Sequence, residues 1–339
     1  LLPALQAAGY EIAYVGSYEG IEKKLIADFN IPYTGISTGK FRRYLDPKNF
    51  SDPFRVMKGF VEARNYLKNY QPDVVFSKGG FVSVPVVRAA ASLHIPCIIH
   101  ESDMTPGLAN KLCIPVAEKV CCNFPETMKN IPADKAVLTG SPIRAELAQG
   151  SRLAGLNMCG FTANKPVIMV IGGSLGAANV NKAVRDALPK LLEDFQVVHL
   201  CGKDKIDNLL LNTPGYKQFE YIKAELKDIF AMADVVISRA GANAICELLA
   251  LKKPNILIPL PAASSRGDQL LNAASFEAQG YSIVLNEDDI TTNLLVDKVH
   301  ELYFNRQNYV EAMSRSHQMD AINTIMLLIN EAANKSHTQ

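Results

Sequence analysis

The feature that most constrains this sequence is a segment that occurs twice. Asp73-Val74-Val75-Phe76-Ser77-Lys78-Gly79-Gly80 and Asp234-Val235-Val236-Ile237-Ser238-Arg239-Ala240-Gly241 lie 161 positions apart. Each is a continuous apolar run, then a basic residue and a glycine turn. Each leads into a helical stretch, to about Leu93 or Leu251, and then to a second apolar run, Pro96 to His100 or Pro254 to Leu260. Strands that are apolar on both faces suit a parallel sheet covered on both sides, because a sheet with one wet face alternates. Strand, turn, helix, strand in this order is the pattern of a doubly wound α/β domain. The chain is therefore expected to fold as two similar doubly wound α/β halves, and 339 residues suit two cores better than one.

Helical periodicity fades between Arg144 and Lys165, where Gly150, Gly155 and Gly160 accumulate, so the boundary is expected there. A last helical stretch, about Met319 to Ala333, suits either half. The chain opens with helical spacing at Leu1, Leu2, Leu5 and Ala8, Gly9 stands at the capping position, and a strand-like run follows from Glu11 to Gly16. An α/β domain opens with a strand and a loop that feed such a helix, so these are expected to precede Leu1.

Charge matters through its distribution. The net charge of +1 gives no global attraction to nucleic acid. Between Lys40 and Tyr70, however, eight Lys and Arg residues, Arg42 and Arg43 among them, face three acidic ones, a local +5 in a remainder of −4. Phe41, Tyr44, Leu45, Phe50 and Phe54 interleave with these cations, a mixture that suits an anionic membrane surface. No apolar run reaches the length of a membrane span. The seven cysteines show no C-x-x-C spacing and read as reduced thiols.

Three glycine turns follow strand-like runs: Gly172-Gly173-Ser174-Leu175-Gly176, Lys78-Gly79-Gly80 and Gly241-Ala242-Asn243. Glycine lets a backbone approach a ligand closely, and the helix behind presents unpaired N–H groups and a positive dipole end to phosphate. Glu247 lies about one turn into the helix after the third loop, where a carboxylate can accept ribose hydroxyls, or simply favour the helix N-terminus.

Six motifs in order complete the pattern: Ser77-Lys78-Gly79-Gly80-Phe81-Val82-Ser83; His100-Glu101-Ser102-Asp103 with Pro106-Gly107-Leu108-Ala109-Asn110-Lys111; Gly140-Ser141-Pro142-Ile143-Arg144; Gly172-Gly173-Ser174-Leu175-Gly176; Ser238-Arg239-Ala240-Gly241-Ala242 with Glu247; and Ser265-Arg266-Gly267-Asp268-Gln269 with Asn272-Ala273. Over nearly the whole chain this resembles the MurG family, the lipid-linked N-acetylglucosaminyltransferases of peptidoglycan synthesis, in a Gram-positive-like form. The resemblance implies a GT-B fold of two Rossmann-like domains facing a cleft. It places an N-terminal acceptor domain over 1–147, joined by the C-terminal helix 318–335, and a UDP-GlcNAc domain over 164–317. It implies transfer of GlcNAc from UDP-GlcNAc to the C4 hydroxyl of MurNAc in lipid I, with inversion and no bound metal or other cofactor, at the cytoplasmic side of the membrane.

Carried over by position, Ser174 and its loop would hold the donor diphosphate, Ile222 the uracil through its backbone, and Glu247 the ribose. Gln269 with Asp268 would hold GlcNAc hydroxyls, Asp103 would bear on the substrate sugar, and Arg144 would reach the nucleotide across the cleft. Asp103 stands where the family more often has Asn. Lys78, Gly79, Gly80, Arg42 and Arg43 would meet the acceptor diphosphate and the membrane. The resemblance puts a glycine loop carrying a His, the expected general base, before Leu1; His100 and Glu101 are the fallback candidates. A UDP-GlcNAc 2-epimerase would share fold and donor but carry acid/base carboxylates and need no lipid-facing surface. An inactive nucleotide-sugar-binding scaffold would need no catalytic base at all.

Overall fold

The computed structural model describes residues 1–20, 22–39, 52–172, 177–262 and 267–336. They form two compact units, Leu1–Pro142 with Asp320–Gln339, and Ile143–Met319.

The first unit contains β1 (Tyr14–Ser17), β2 (Tyr33–Ile36), β3 (Val75–Ser77), β4 (Cys97–Glu101), β5 (Lys119–Cys122) and β6 (Ala136–Leu138), every pairing parallel. Strand β4 is buried along its whole length and shows why Cys97, Ile98 and Ile99 are apolar without alternation. Cys97 and Ile99 turn to one face, into a core with Leu67, Val87 and Ala90 from the helices Asp52–Tyr70 and Ser83–Ser92. Ile98 turns to the other, against Ile325 and Ile329 of the helix Ala321–Ser336. A strand covered by helices on both faces has no wet side to alternate toward. The same two-residue period sends the neighbours Cys121 and Cys122 into opposite clusters. All seven cysteines are free and buried, and burial pushes the Cys121 and Cys122 thiols up to about 12.

The strands of this unit make two sheets where the sequence pattern suggests one: β1-β2, and β3-β4-β5-β6. The outer edges of β1 and β3 pair with no described strand. A cavity of about 640 Å³ is lined by Tyr14 and Val15 of β1, Val75 and Phe76 of β3, and Leu2 and Leu5 of the helix Leu2–Ala7.

The second unit has a single parallel sheet built from β7 (Val167–Ile171), β8 (Gln196–Leu200), β9 (Tyr216–Phe219), β10 (Val235–Ser238), β11 (Asn255–Leu257) and β12 (Ser282–Val284), in the order β12-β11-β10-β7-β8-β9. Its core joins Ile168, Val197 and Ile237 of the sheet to Val184 and Leu188 of the helix Ala178–Asp194 and Val299 of the helix Thr292–Phe304. The strand order reverses between β7 and β10, which is where such a sheet opens a crevice at the carboxyl ends of its strands.

The segment 144–165 is not the bare connection that its fading periodicity suggests. It carries a 3-10 turn, Ala145–Gln149, and the helix Arg152–Cys159, whose N-terminus is capped by the Ser151 hydroxyl. Gly155 sits where this helix meets the helix Leu226–Met232, and a Cβ there would lie 2.4 Å from the Asp228 carbonyl oxygen. The glycine permits close packing; the periodicity is lost because one face of the helix has no side chain at the contact.

Candidate functional site

In the second unit the candidate residues gather at the carboxyl ends of the strands. After β10, Arg239-Ala240-Gly241 leads into the helix Ala242–Ala250, which carries Glu247. The Arg144 guanidinium lies 3.2 Å from Glu247 Oε1. The two therefore meet inside one unit: Arg144 belongs with Ile143–Met319. Burial raises the Glu247 pKa, and the charge of Arg144 opposes that rise. Arg239, only 9% exposed, is committed to structure: it donates to the carbonyls of Ile258 (3.0 Å) and Pro259 (3.2 Å) and pairs with Glu287. Position alone does not separate this arginine from a ligand-binding one; its burial does.

Asp268 begins the helix Asp268–Ala278, and Gln269 Oε1 accepts the backbone N–H of Leu260, 3.1 Å away in the loop after β11. That bond commits the amide oxygen and leaves the amide NH₂ as the group for an acceptor on a ligand. Asn272, 2% exposed, donates to the Ala240 carbonyl at 3.1 Å and ties this helix to the β10 loop. Its Oδ1 has no hydrogen-bond partner among the described residues. Asn272 is a site-building residue whose motif is visible in the sequence but whose role requires the fold. Ile222 follows β9 with its side chain buried, and neither its backbone N–H nor its C=O pairs with a described residue. Ser174 and its loop lie outside the described residues, as do Arg266, Arg42 and Arg43.

In the first unit a second cluster forms where β3, β4 and β6 end. Gly79 and Gly80 hold φ of +90° and +89°, a left-handed backbone that a side chain disfavours. Ser77 and Ser83 fix this turn: Ser77 Oγ accepts the Gly79 N–H, and the Ser83 hydroxyl donates to the Gly79 carbonyl. Lys78 projects from it, with Nζ 3.1 Å from His100 Nδ1 and 3.4 Å from the hydroxyls of Ser102 and Ser141. His100 Nε2 lies 2.9 Å from the Gly140 carbonyl.

The fallback bases are engaged elsewhere. His100 is fully buried, and burial with the neighbouring Lys78 charge lowers its pKa to about 3, too low for a good proton acceptor at neutral pH. The Glu101 carboxylate accepts from the N–H groups of Asp103 (2.9 Å) and Gly107 (3.1 Å) and from Asn110 Nδ2 (2.8 Å), so it shapes the loop carrying Asp103. Asp103 is half-buried, with its carbonyl accepting from Thr127.

The described part of the basic stretch is the helix Asp52–Tyr70. Gly59, Ala63 and Leu67 turn inward, while Phe54, Met57 and Val61 are 80%, 64% and 50% exposed. These three recur at helical spacing and form one outward apolar stripe beside Lys58, Arg64 and Lys68. Among the described residues no helix is long and apolar enough to cross a membrane.

A model of the glycosyltransferase family 28 N-terminal domain matches residues 1–122, and one of the family 28 C-terminal domain matches residues 167–326. The UDP-N-acetylglucosamine–N-acetylmuramyl-(pentapeptide) pyrophosphoryl-undecaprenol N-acetylglucosamine transferase of Lachnospira eligens is 62% identical over 98% of this chain and 94% of its own. The crystal structure of Acinetobacter baumannii MurG matches with a TM-score of 0.75 at 27% identity, over 97% of this chain and 93% of that one. A putative UDP-N-acetylglucosamine 2-epimerase from Listeria monocytogenes matches with a TM-score of 0.67 over 98% of this chain and 92% of that one; at 11% identity this is a likeness of fold alone.

Proposed function

Because the chain belongs to glycosyltransferase family 28, in its branch of UDP-N-acetylglucosamine–N-acetylmuramyl-(pentapeptide) pyrophosphoryl-undecaprenol N-acetylglucosamine transferases, we propose the following reaction. The C4 hydroxyl of MurNAc in lipid I attacks the anomeric carbon of UDP-GlcNAc and gives up its proton to a general base as the new bond forms. The bond from that carbon to the diphosphate breaks, UDP leaves, and the sugar passes to the acceptor with inversion, giving lipid II for peptidoglycan synthesis. The observation that carries this reading is 62% identity over 98% of the chain to a relative whose name states the transfer.

The donor binds the second unit. Ile222 offers its backbone to the uracil, Glu247 accepts the ribose hydroxyls, and Gln269 with Asp268 holds GlcNAc hydroxyls. Arg144 leaves Glu247 for the diphosphate when the nucleotide enters. Together with Ser174 and the N-terminus of the helix Ala178–Asp194, it faces the charge that builds on the departing UDP. The acceptor binds the first unit: the Lys78-Gly79-Gly80 turn takes its diphosphate, and the loop shaped by Glu101 brings Asp103 to the sugar. Arg42, Arg43 and the outward stripe of the helix Asp52–Tyr70 meet an anionic membrane surface on its cytoplasmic side.

The test is transfer of radiolabelled GlcNAc from UDP-GlcNAc to a lipid I analogue, with the product linkage read by NMR. A β-linked disaccharide lipid is expected. Release of the 2-epimer of GlcNAc without transfer would return the protein to the epimerase reading, and UDP binding without turnover to a scaffold.

A further inference from the structure

We propose that His100 is a positioning residue, a neutral imidazole that aims the Lys78 ammonium so that Lys78, Ser102 and Ser141 form a seat for one phosphoryl group. This rests on the reading of Lys78 as an acceptor-side residue given above.

The hydrogen-bond directions follow from the partners. The Gly140 carbonyl 2.9 Å from Nε2 can only accept, so Nε2 carries the ring proton. Nδ1 is then a lone pair, and the Lys78 ammonium 3.1 Å away donates to it. The Ser102 and Ser141 hydroxyls lie 3.4 Å from the same Nζ, the long end of hydrogen-bond range, so these two contacts are readily exchanged for phosphoryl oxygens. The imidazole and the two hydroxyls are neutral, so these contacts orient the ammonium without themselves offsetting its charge. Ser102 Oγ also lies 3.4 Å from Nδ1, a longer approach than that of Lys78. The ring is fully buried, and its pKa of about 3 keeps it a neutral acceptor at physiological pH. The rotamer freedom of a lysine is large; a fixed acceptor beneath it, anchored to the loop after β6, removes much of that freedom before the ligand arrives.

Two near-isosteric substitutions separate aiming Lys78 from anchoring Gly140. His100→Asn places an amide oxygen near the Nδ1 position and keeps an acceptor for Lys78. His100→Gln places an amide NH₂ near Nε2 and keeps the donor to Gly140 but loses that acceptor. With the lipid I analogue, His100→Gln should raise the acceptor KM about tenfold, with kcat and the UDP-GlcNAc KM near wild type, while His100→Asn stays within about threefold. The reverse order, or equal loss in both, overturns the proposal. Lys78→Met should raise the acceptor KM as much as His100→Gln, and the double variant no further. If Lys78→Met changes nothing, the acceptor-side reading of Lys78 falls. If Lys78→Met is impaired and His100→Gln is not, the positioning role alone falls. A measurement on the wild-type protein removes any dependence on variant folding: with ¹⁵N-labelled histidine, the His100 signals should show the Nε2–H tautomer, and inorganic pyrophosphate should shift Nδ1. A ring protonated at Nδ1, or an Nδ1 signal indifferent to saturating pyrophosphate, overturns the proposal.

Discussion

Glu247 and Arg144 hold each other in the second unit, and the strength of that hold decides whether it obstructs the site. The arginine side chain is half exposed, so an ion pair of this kind contributes at most about 1 kcal/mol and is readily exchanged. A ribose offers Glu247 two hydroxyl donors, each a charge-assisted bond worth roughly 1.5–3 kcal/mol. Glu247→Gln should therefore weaken UDP binding by about ten- to a hundredfold, and binding of a 2′,3′-dideoxy analogue far less, both read by calorimetry. Equal losses for the two ligands would reduce Glu247 to a helix-supporting residue. The position of Glu247, one turn beyond a glycine loop, is legible in the sequence; its arginine partner, 103 positions away, is not. His100 shows the same limit. A histidine at the end of an apolar strand reads more often as a buried anchor than as a base, and what decides is Gly140, 40 positions on, together with a burial that only the packed sheet creates.

The helix Asp52–Tyr70 is an element whose two faces answer different solvents. Its inner face sets the small residues Gly59 and Ala63 before Leu67, and at Gly59 a Cβ would stand 2.0 Å from the Ser37 carbonyl oxygen, so the helix backbone lies directly on the preceding loop. Its outer face exposes Phe54, Met57 and Val61, which burial in the unit could have hidden had the helix been rotated; the glycine and alanine face leaves no such choice. If each of the three inserts into a lipid interface for about 1 kcal/mol, replacing all three by serine should cut binding to anionic vesicles by roughly two orders of magnitude. Far-UV circular dichroism should stay unchanged, because none of the three packs inside. Co-sedimentation equal to wild type would leave the stripe without a lipid role. The sequence shows the mixture of cations and aromatics from Lys40 to Tyr70; which of these side chains point outward depends on which face of the helix the core takes. The strands of the repeated segments, β3, β4, β10 and β11, were more legible, because each opens as an apolar run between punctuating residues; β9, which carries Lys217 and Gln218, and the three-residue β6 and β12 give no such signal. The division of the first unit into two sheets was not, since no residue type marks the edge at which pairing stops.

Among the described residues each of the two units carries one fully buried histidine, and this ties the stability of the whole molecule to acid. In the first it is His100. In the second it is His199, whose Nδ1 lies 2.9 Å from the Tyr216 hydroxyl and whose Nε2 lies 2.9 Å from Asn181 Oδ1. Asn181 Nδ2 donates to the Cys201 carbonyl, so Oδ1 accepts, Nε2 holds the proton, and Nδ1 accepts from Tyr216. Both rings are held neutral, with pKa values lowered to about 3, mainly by burial. The unfolded chain binds a proton at each below about pH 6.5, while the folded chain refuses it until about pH 3. Stability from this source is thus complete above pH 6.5 and is lost as pH falls toward 3. The slope is about 1.4 kcal/mol per pH unit for each ring, so by pH 5 each has cost about 2 kcal/mol. Two such losses are a large part of the 5–15 kcal/mol typical of a folded domain. His199→Gln should flatten the decline of unfolding free energy between pH 6 and pH 4 by about 1.4 kcal/mol per unit, measured by urea titration with far-UV circular dichroism at each pH. The chain has no tryptophan, so tyrosine fluorescence, to which Tyr216 contributes, serves as the second probe. A variant whose stability falls with acid as steeply as the wild type would mean that His199 takes up its proton without unfolding the sheet around it.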